Sequence, residues 1–222
     1  FDRIETNRKN ALTLQLREDF ELTEDEPIFI AGSTQDPEER IALESWLTLR
    51  PAFPDLRLVL VPRHQERFEE TARLVESYGL PLLRRSDGHG NYSRNDSRES
   101  PVILLDTLGE LSACWGLADF AFVGGSMGDR GGQNMIEPCA YGAAVCFGPN
   151  TRNFRDVVES LLASNGAKVV HDGAELSTLI RHWLADRRSA DSQGRSAREF
   201  VLSQSGASEQ TINLLLGQDQ NV

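Results

Sequence analysis

The sequence predicts an α/β fold, a parallel sheet with helices on both faces. Two observations carry that expectation: seven short apolar runs of strand length, and the longer amphipathic stretches that separate them. A third supports it. The residues directly after the apolar runs are polar, and in parallel sheets ligands sit outside the carboxyl ends of the strands. With 222 residues and 39% hydrophobic content, the chain can bury one sizeable core, so residues 1–222 are expected to form a single domain with helices from about residue 174 onward.

In chain order, strands are expected at Pro27 to Ala31, Leu56 to Val61, Pro81 to Leu83, Val102 to Leu105, Phe120 to Val123, Ala144 to Phe147 and Lys168 to Val170. Pro37 to Leu49 reads as a helix with Ile41, Leu43, Trp46 and Leu47 apolar, and Glu66 to Tyr78 as another through Phe68, Ala72, Leu74 and Val75. Asp36 is placed to cap the first of these, with Glu38 and Glu39 complementing its dipole. The stretch from Arg84 to Ser100 is polar and glycine-bearing, and reads as an inserted loop. Beyond Ala174, helical patterns run through Leu176, Leu179, Ile180, Trp183 and Leu184, then over Arg195 to Leu202 and Thr211 to Leu216.

A formal net charge of −11 argues against nucleic acid as a partner, because phosphate backbones are bound by dense Lys/Arg surfaces. No apolar stretch approaches membrane-span length and the amino end has no signal-peptide core, so a soluble, cytoplasmic chain is expected. Cys114, Cys139 and Cys146 lie in or beside apolar stretches and are expected as reduced core thiols. The four histidines are scattered without ligand spacing, and neither a metal nor a cofactor is expected. Because the chain begins at Phe1 without a methionine, it is also expected to be a piece of a longer protein.

The most informative run is Phe122 to Pro138, an apolar strand leading into a glycine loop and then a helix bearing Asn134 and Glu137. Glycines allow sharp turns and close approach, and N–H groups at a helix start attract phosphate, so Gly124, Gly125 and Ser126 are candidate phosphate ligands. Asn134 and Glu137 fit either a sugar-facing pair or an N-cap with its reciprocal acid. Ser33 and Thr34 stand at the end of the first strand. Arg63, followed by His64, stands at the end of the second, where its guanidinium either grips phosphate or pairs with Glu66 or Glu69. Thr107 and Glu110 fit a capping box, which would leave the backbone of Leu108 and Gly109 free to face a base.

Taken together, six ordered motifs carry a resemblance: Gly32-Ser-Thr-x-x-x-Glu-Glu39, Val61-Pro-Arg-His-x-Glu-Arg-Phe68, Asp106-Thr-x-Gly-Glu-Leu111, Ala118-Asp-x-Ala-Phe-Val-Gly-Gly-Ser126, Gly131-Gly-x-Asn-x-x-Glu-Pro138 and Gly148-Pro-x-x-x-Asn-Phe154. The chain resembles GT-B glycosyltransferases, and specifically the carboxyl-terminal half of the 3-deoxy-D-manno-octulosonic acid (Kdo) transferases. The resemblance implies a Rossmann-like sheet forming the C-terminal half of a GT-B fold, and an inverting transfer of Kdo from CMP-Kdo to a lipid A precursor in lipopolysaccharide biosynthesis.

It also implies a division of labour. The donor site would lie here, with Arg63 on the CMP phosphate, Leu108 and Gly109 near the cytosine, Gly124 to Ser126 on the phosphate, and Asn134 with Glu137 on the phosphate and ribose side. The catalytic carboxylate and membrane anchor would belong to an amino-terminal domain outside this chain, so no catalytic residue is expected here and the isolated chain is expected to be inactive. The full-length protein would then work at the cytoplasmic face of the inner membrane. Gln35 departs from the family, which usually has His there. Three alternatives stand beside this reading. They are a donor domain of another GT-B enzyme using a UDP-sugar, a non-catalytic interaction module, and a nicotinamide-dependent dehydrogenase, whose glycine motif would follow an early strand rather than the fifth.

Overall fold

The computed structural model describes residues 4–88 and 100–215, with side chains described through residue 204. Its centre is a seven-stranded sheet of β1 (Ile28–Thr34), β2 (Arg57–Pro62), β3 (Leu82–Arg84), β4 (Val102–Leu104), β5 (Phe120–Val123), β6 (Ala144–Phe147) and β7 (Ala167–Val169). The spatial order is β3-β4-β2-β1-β5-β6-β7, and every pair is parallel. From β1 the chain passes to β2, then to β3 at the edge and back to β4 between β2 and β3, before crossing to the other side of β1 and winding away through β5, β6 and β7. The loops after β1 and β5 therefore diverge, and a crevice opens between them, where ligands of open α/β sheets bind.

Alternation along the strands divides the core into two layers. Ile28, Ile30, Ala121 and Val123 face one layer, and Phe29, Ala31, Phe120 and Phe122 the other. The first layer is closed by α1 (Ala11–Asp19), α4 (Leu111–Cys114), α5 (Ile136–Ala140), α6 (Arg155–Ala163) and α8 (Arg187–Leu215). The second is closed by α2 (Glu38–Leu49), α3 (Phe68–Ser77) and α7 (Gly173–Ala185). Trp46, Trp115 and Trp183 are almost wholly buried, and Trp183 stacks on Phe120 with ring centroids 5.7 Å apart. All three cysteines are buried free thiols, and burial pushes each thiol well above its ordinary pKa. No helix among the described residues is long and apolar enough to cross a membrane.

All seven expected strands form, within one to three residues of their expected ends. Four details differ. Asp36 does not cap α2: it is 79% exposed and lies 3.7 Å from Arg67, while Pro37 stands at the cap without a side-chain bond. Thr107 is not an N-cap either, because α4 starts after Glu110 and the Thr107 hydroxyl donates to the Glu110 carboxylate instead. The helical patterns expected over Arg195 to Leu202 and from Thr211 lie within the single helix α8, which is described to Leu215; Leu216 lies outside the described residues. Finally, the first part of the polar stretch from Arg84 is held by ions. Asp106 accepts from Arg84 Nε at 2.7 Å and from the Ser86 amide and hydroxyl at 2.8 and 2.6 Å, and Arg85 pairs with Asp19 and Glu110. Residues 89–99 of that stretch lie outside the described residues.

Helix α8 is fixed by a contact that tolerates no side chain. A Cβ added at Gly194 would sit 2.1 Å from the Gly142 carbonyl oxygen, backbone against backbone. Beside it, Gln193 donates to the Val145 carbonyl at 2.8 Å. Gly194→Ala is expected to lower stability by about 2–3 kcal/mol through this overpacking. Urea denaturation measures the loss, and hydrogen exchange should locate it in α8.

Candidate functional site

The crevice is built on one carboxylate. Glu38, in the first turn of α2 and only 1% exposed, accepts hydrogen bonds from the amides of Gly125, Ser126 and Met127 at 2.7, 2.9 and 2.9 Å, and from the Gln35 amide at 2.9 Å. Four backbone donors converge on its two oxygens, enough to offset the cost of burying the charge. This corrects the reading of the glycine loop. Gly125 and Ser126 were expected to offer their amides to a phosphate, and those amides are bonded to a carboxylate of the protein. The Gly124 amide is likewise taken, by the Gly32 carbonyl at 2.9 Å, and the fully buried Ser126 hydroxyl joins the Val123 carbonyl to the Gly148 amide.

Sterics explain the glycine at 124. A Cβ there would lie 2.6 Å from the Ser33 carbonyl oxygen and 2.7 Å from Glu38 Oε2, so the β5 loop can close on β1 only without a side chain. Ser33 itself has φ of +54° where the register between β1 and β2 shifts, and is 7% exposed. Thr34 is fully buried, and its hydroxyl has no hydrogen-bond partner among the described residues. Both were expected to touch a ligand; Thr34 is enclosed at the strand end rather than displayed.

The structure does bring several other expected residues together. Arg63 is exposed at the end of β2, anchored by its amide to the Thr34 carbonyl at 2.9 Å, and its guanidinium makes no ion pair or hydrogen bond among the described residues. The surface pairing with Glu66 or Glu69 is not made, since Glu69 pairs with Arg84. Arg63 instead lies within electrostatic reach of Glu137. Burial raises the Glu137 pKa above the ordinary carboxylate value, partly opposed by the Asn134 side chain and the Arg63 charge. Asn134 bridges locally, its amide donating to Glu137 at 3.0 Å while its carbonyl accepts from the Ile136 amide at 3.1 Å. Asn134 is therefore not the N-cap expected of it: α5 starts after Met135, which has no side-chain cap bond, and Asn134 meets Glu137 side chain to side chain.

Leu108 is 69% exposed, Gly109 has φ of +84°, and neither peptide group hydrogen-bonds within the described residues. A cavity of about 310 Å³ is lined by Gln35, Asp36, Glu38, His64, Arg67, Gly125, Gly128, Asp129 and Arg130; it takes in His64 and Gly125 of the expected residues, but Arg63, Leu108, Gly109, Asn134 and Glu137 do not line it. Sequence reasoning missed Glu38 as the organiser and Arg67 as its neighbour. Arg67 holds the 1%-exposed Glu39 through two bonds of 3.1 Å. Adjacent acids after a strand end, read only as helix-dipole partners, were the signal.

Comparison with known proteins agrees with this geometry. No family model matches the chain. The chain is 36% identical over 193 residues to the Kdo transferase of Haemophilus influenzae and 34% identical over 192 residues to that of Bordetella pertussis, covering 86% and 85% of this chain. It spans 44% of the length of each of these relatives. A crystal structure described as the carboxyl-terminal CMP-Kdo binding domain of WaaA from Acinetobacter baumannii superposes with a TM-score of 0.74 at 28% identity, covering 85% of this chain and 95% of that one. The parallel sheet, its switch-point crevice and this superposition define a carboxyl-terminal domain of the GT-B glycosyltransferase class. Within that class, the chain belongs to the 3-deoxy-D-manno-octulosonic acid transferase family.

Two substitutions separate structure from site. Glu38→Gln leaves amides facing a neutral group that can accept at only one atom, and is expected to cost about 2–3 kcal/mol in urea denaturation. Glu137→Gln should act in the opposite sense. A carboxylate whose folded pKa is raised destabilises the fold when ionised, so the substitution should raise the melting temperature at neutral pH. The gain should vanish as the pH falls through the raised value, where Glu137 is itself protonated.

Proposed function

We propose that this chain is the donor-binding half of a Kdo transferase, holding CMP-Kdo in the crevice between the loops after β1 and β5. The observation that carries the reading is the Arg63 guanidinium, exposed at the carboxyl edge, unpaired among the described residues and electrostatically coupled to Glu137. In an acidic chain, an arginine left without a carboxylate at a switch point is suited to a phosphate. The 36% identity to a Kdo transferase and the likeness to a CMP-Kdo binding domain support CMP-Kdo as that donor.

In this reading Arg63 holds the CMP phosphate, and His64 stands beside it as a further donor. The exposed Leu108 and the unbonded peptide groups of Leu108 and Gly109 receive the base. Asn134 and Glu137 face the ribose hydroxyls. The glycine loop, with Gly124, Gly125, Ser126 and the carboxylate of Glu38, shapes the floor of the site rather than binding the phosphate through its amides. Ser33 and Thr34 lie under it.

Transfer breaks the bond between the anomeric carbon and the phosphate oxygen. The electron pair leaves with CMP, so negative charge grows on the phosphate while the sugar becomes electron-poor. Arg63 offsets that charge, stabilisation that strengthens as the bond breaks. An acceptor hydroxyl on a lipid A precursor attacks the opposite face and loses its proton to a carboxylate of the other half of the protein, as the resemblance implies. Both acceptor and membrane surface, on the cytoplasmic side, would meet that other half.

Calorimetric titration with CMP, UMP and NAD tests the reading. CMP-selective binding is expected, weakened about tenfold or more by Arg63→Ala, as the loss of one charge-assisted bond predicts. Preference for UMP would move the chain to a UDP-sugar enzyme, and absence of binding by all three would refute the donor site in this chain.

A further inference from the structure

A second basic cavity lies at the opposite edge of the sheet. It measures about 290 Å³ and opens where β5 and β6 begin, lined by Arg8, Asp119, Tyr141 and Gly142 together with Arg187, Asp191, Arg195 and Arg198 of α8. Four arginines face two aspartates there, in a chain whose formal net charge is −11. Such a local reversal of sign needs a reason.

Two of the four arginines have structural work. Arg8 donates to the Tyr141 and Ala118 carbonyls at 2.8 and 2.7 Å, and Arg187 pairs with Asp119 at 2.8 Å while its guanidinium lies 5.0 Å from the centre of the Phe120 ring. The Arg8 bonds use neutral acceptors and leave its charge uncancelled. Burial chiefly works against that charge; Asp119 supports it, while Arg17 and Arg198 oppose it. The other two have no such work. Arg195 and Arg198 make no hydrogen bond or ion pair among the described residues. Asp191 and Glu199 stand four residues before and after Arg195 and are paired with neither arginine. Two like charges one turn apart repel, a cost that an i,i+4 acid would have relieved.

We propose that this cavity binds a phosphate group, at a site separate from the crevice and on the opposite edge of the sheet. Arg195 and Arg198 supply the free guanidinium donors, and Arg8 and Arg187 the surrounding positive field. The first turn of α8 adds its N-terminal dipole to the same side. A compact phosphate fits better than a nucleic acid backbone, because the two aspartates and the acidic remainder of the chain repel an extended polyanion. Either a soluble phosphomonoester or a phospholipid headgroup carries the required chemistry.

The test uses the whole chain, the exposed double variant Arg195→Gln/Arg198→Gln, and Arg63→Ala as a control for the crevice. Inorganic phosphate is titrated at constant ionic strength, and sedimentation is measured with phosphatidylcholine vesicles with and without phosphatidic acid. Phosphate binding that survives Arg63→Ala and weakens about tenfold in the double variant supports the site with a soluble ligand. Binding only to the phosphatidic acid vesicles, lost in the double variant, supports it with a lipid headgroup. Equal binding by the double variant, binding lost only in Arg63→Ala, or no binding to either probe overturns it.

Discussion

The contact between Glu38 and the glycine loop is the constraint on which the crevice depends. It ties the start of α2, which follows β1, to the loop after β5, across the point where the winding of the sheet reverses. Elsewhere in the sheet neighbouring strands are held by ladders and by apolar layers. Here the loops diverge, and a charge is needed to hold them. The carboxylate provides four acceptor directions in one rigid group, and the amides that meet it can do so only because Gly124 lets the loop approach β1 at close range.

This anchoring changes how the site divides its labour. A glycine loop after a strand suggests a phosphate cradle, but in this chain the cradle holds a protein anion and the loop becomes rigid wall. A second anion would be repelled there by Glu38, and the loop amides without a bond among the described residues lie farther on, from Gly128 to Gly131. Positive charge for a ligand can come from side chains at the rim, where Arg63 and Arg130 make no carboxylate contact among the described residues. Glu137, with its charge disfavoured by burial, lies within electrostatic reach of Arg63. Burial of Glu137 is thus only partly offset in the protein alone, an unrelieved cost of the kind binding sites commonly carry.

Most of the fold was legible in the sequence because parallel strands buried on both faces read as short continuous apolar runs, and all seven were visible in that way. What escaped notice had little such contrast. Helices α1 and α6 are short, and α8 carries Arg, Ser, Gln and Gly among its apolar positions, so its periodicity is diluted. In the site, Arg63 and the exposed Leu108 could be placed from strand ends alone. Glu38 and Glu39 could not: a carboxylate at a helix start fits the dipole in any protein, and only three-dimensional closure reveals that one binds a loop nearly ninety residues away while the other is buried against Arg67.

That separation bears on the order in which the domain can be made. Residues through Leu104 contain four strands that can pair among themselves during synthesis, with β1 at one edge. At that stage β1 exposes an unpaired flank, and Glu38 has none of the three loop amides that satisfy it later. The central edge is sealed and the carboxylate's set of four donors completed only once Met127 has emerged. The nascent chain thus carries an open strand edge next to a carboxylate that still lacks three of its four amide donors; the charge disfavours wrong pairing at an edge that would otherwise invite it, until the second half arrives.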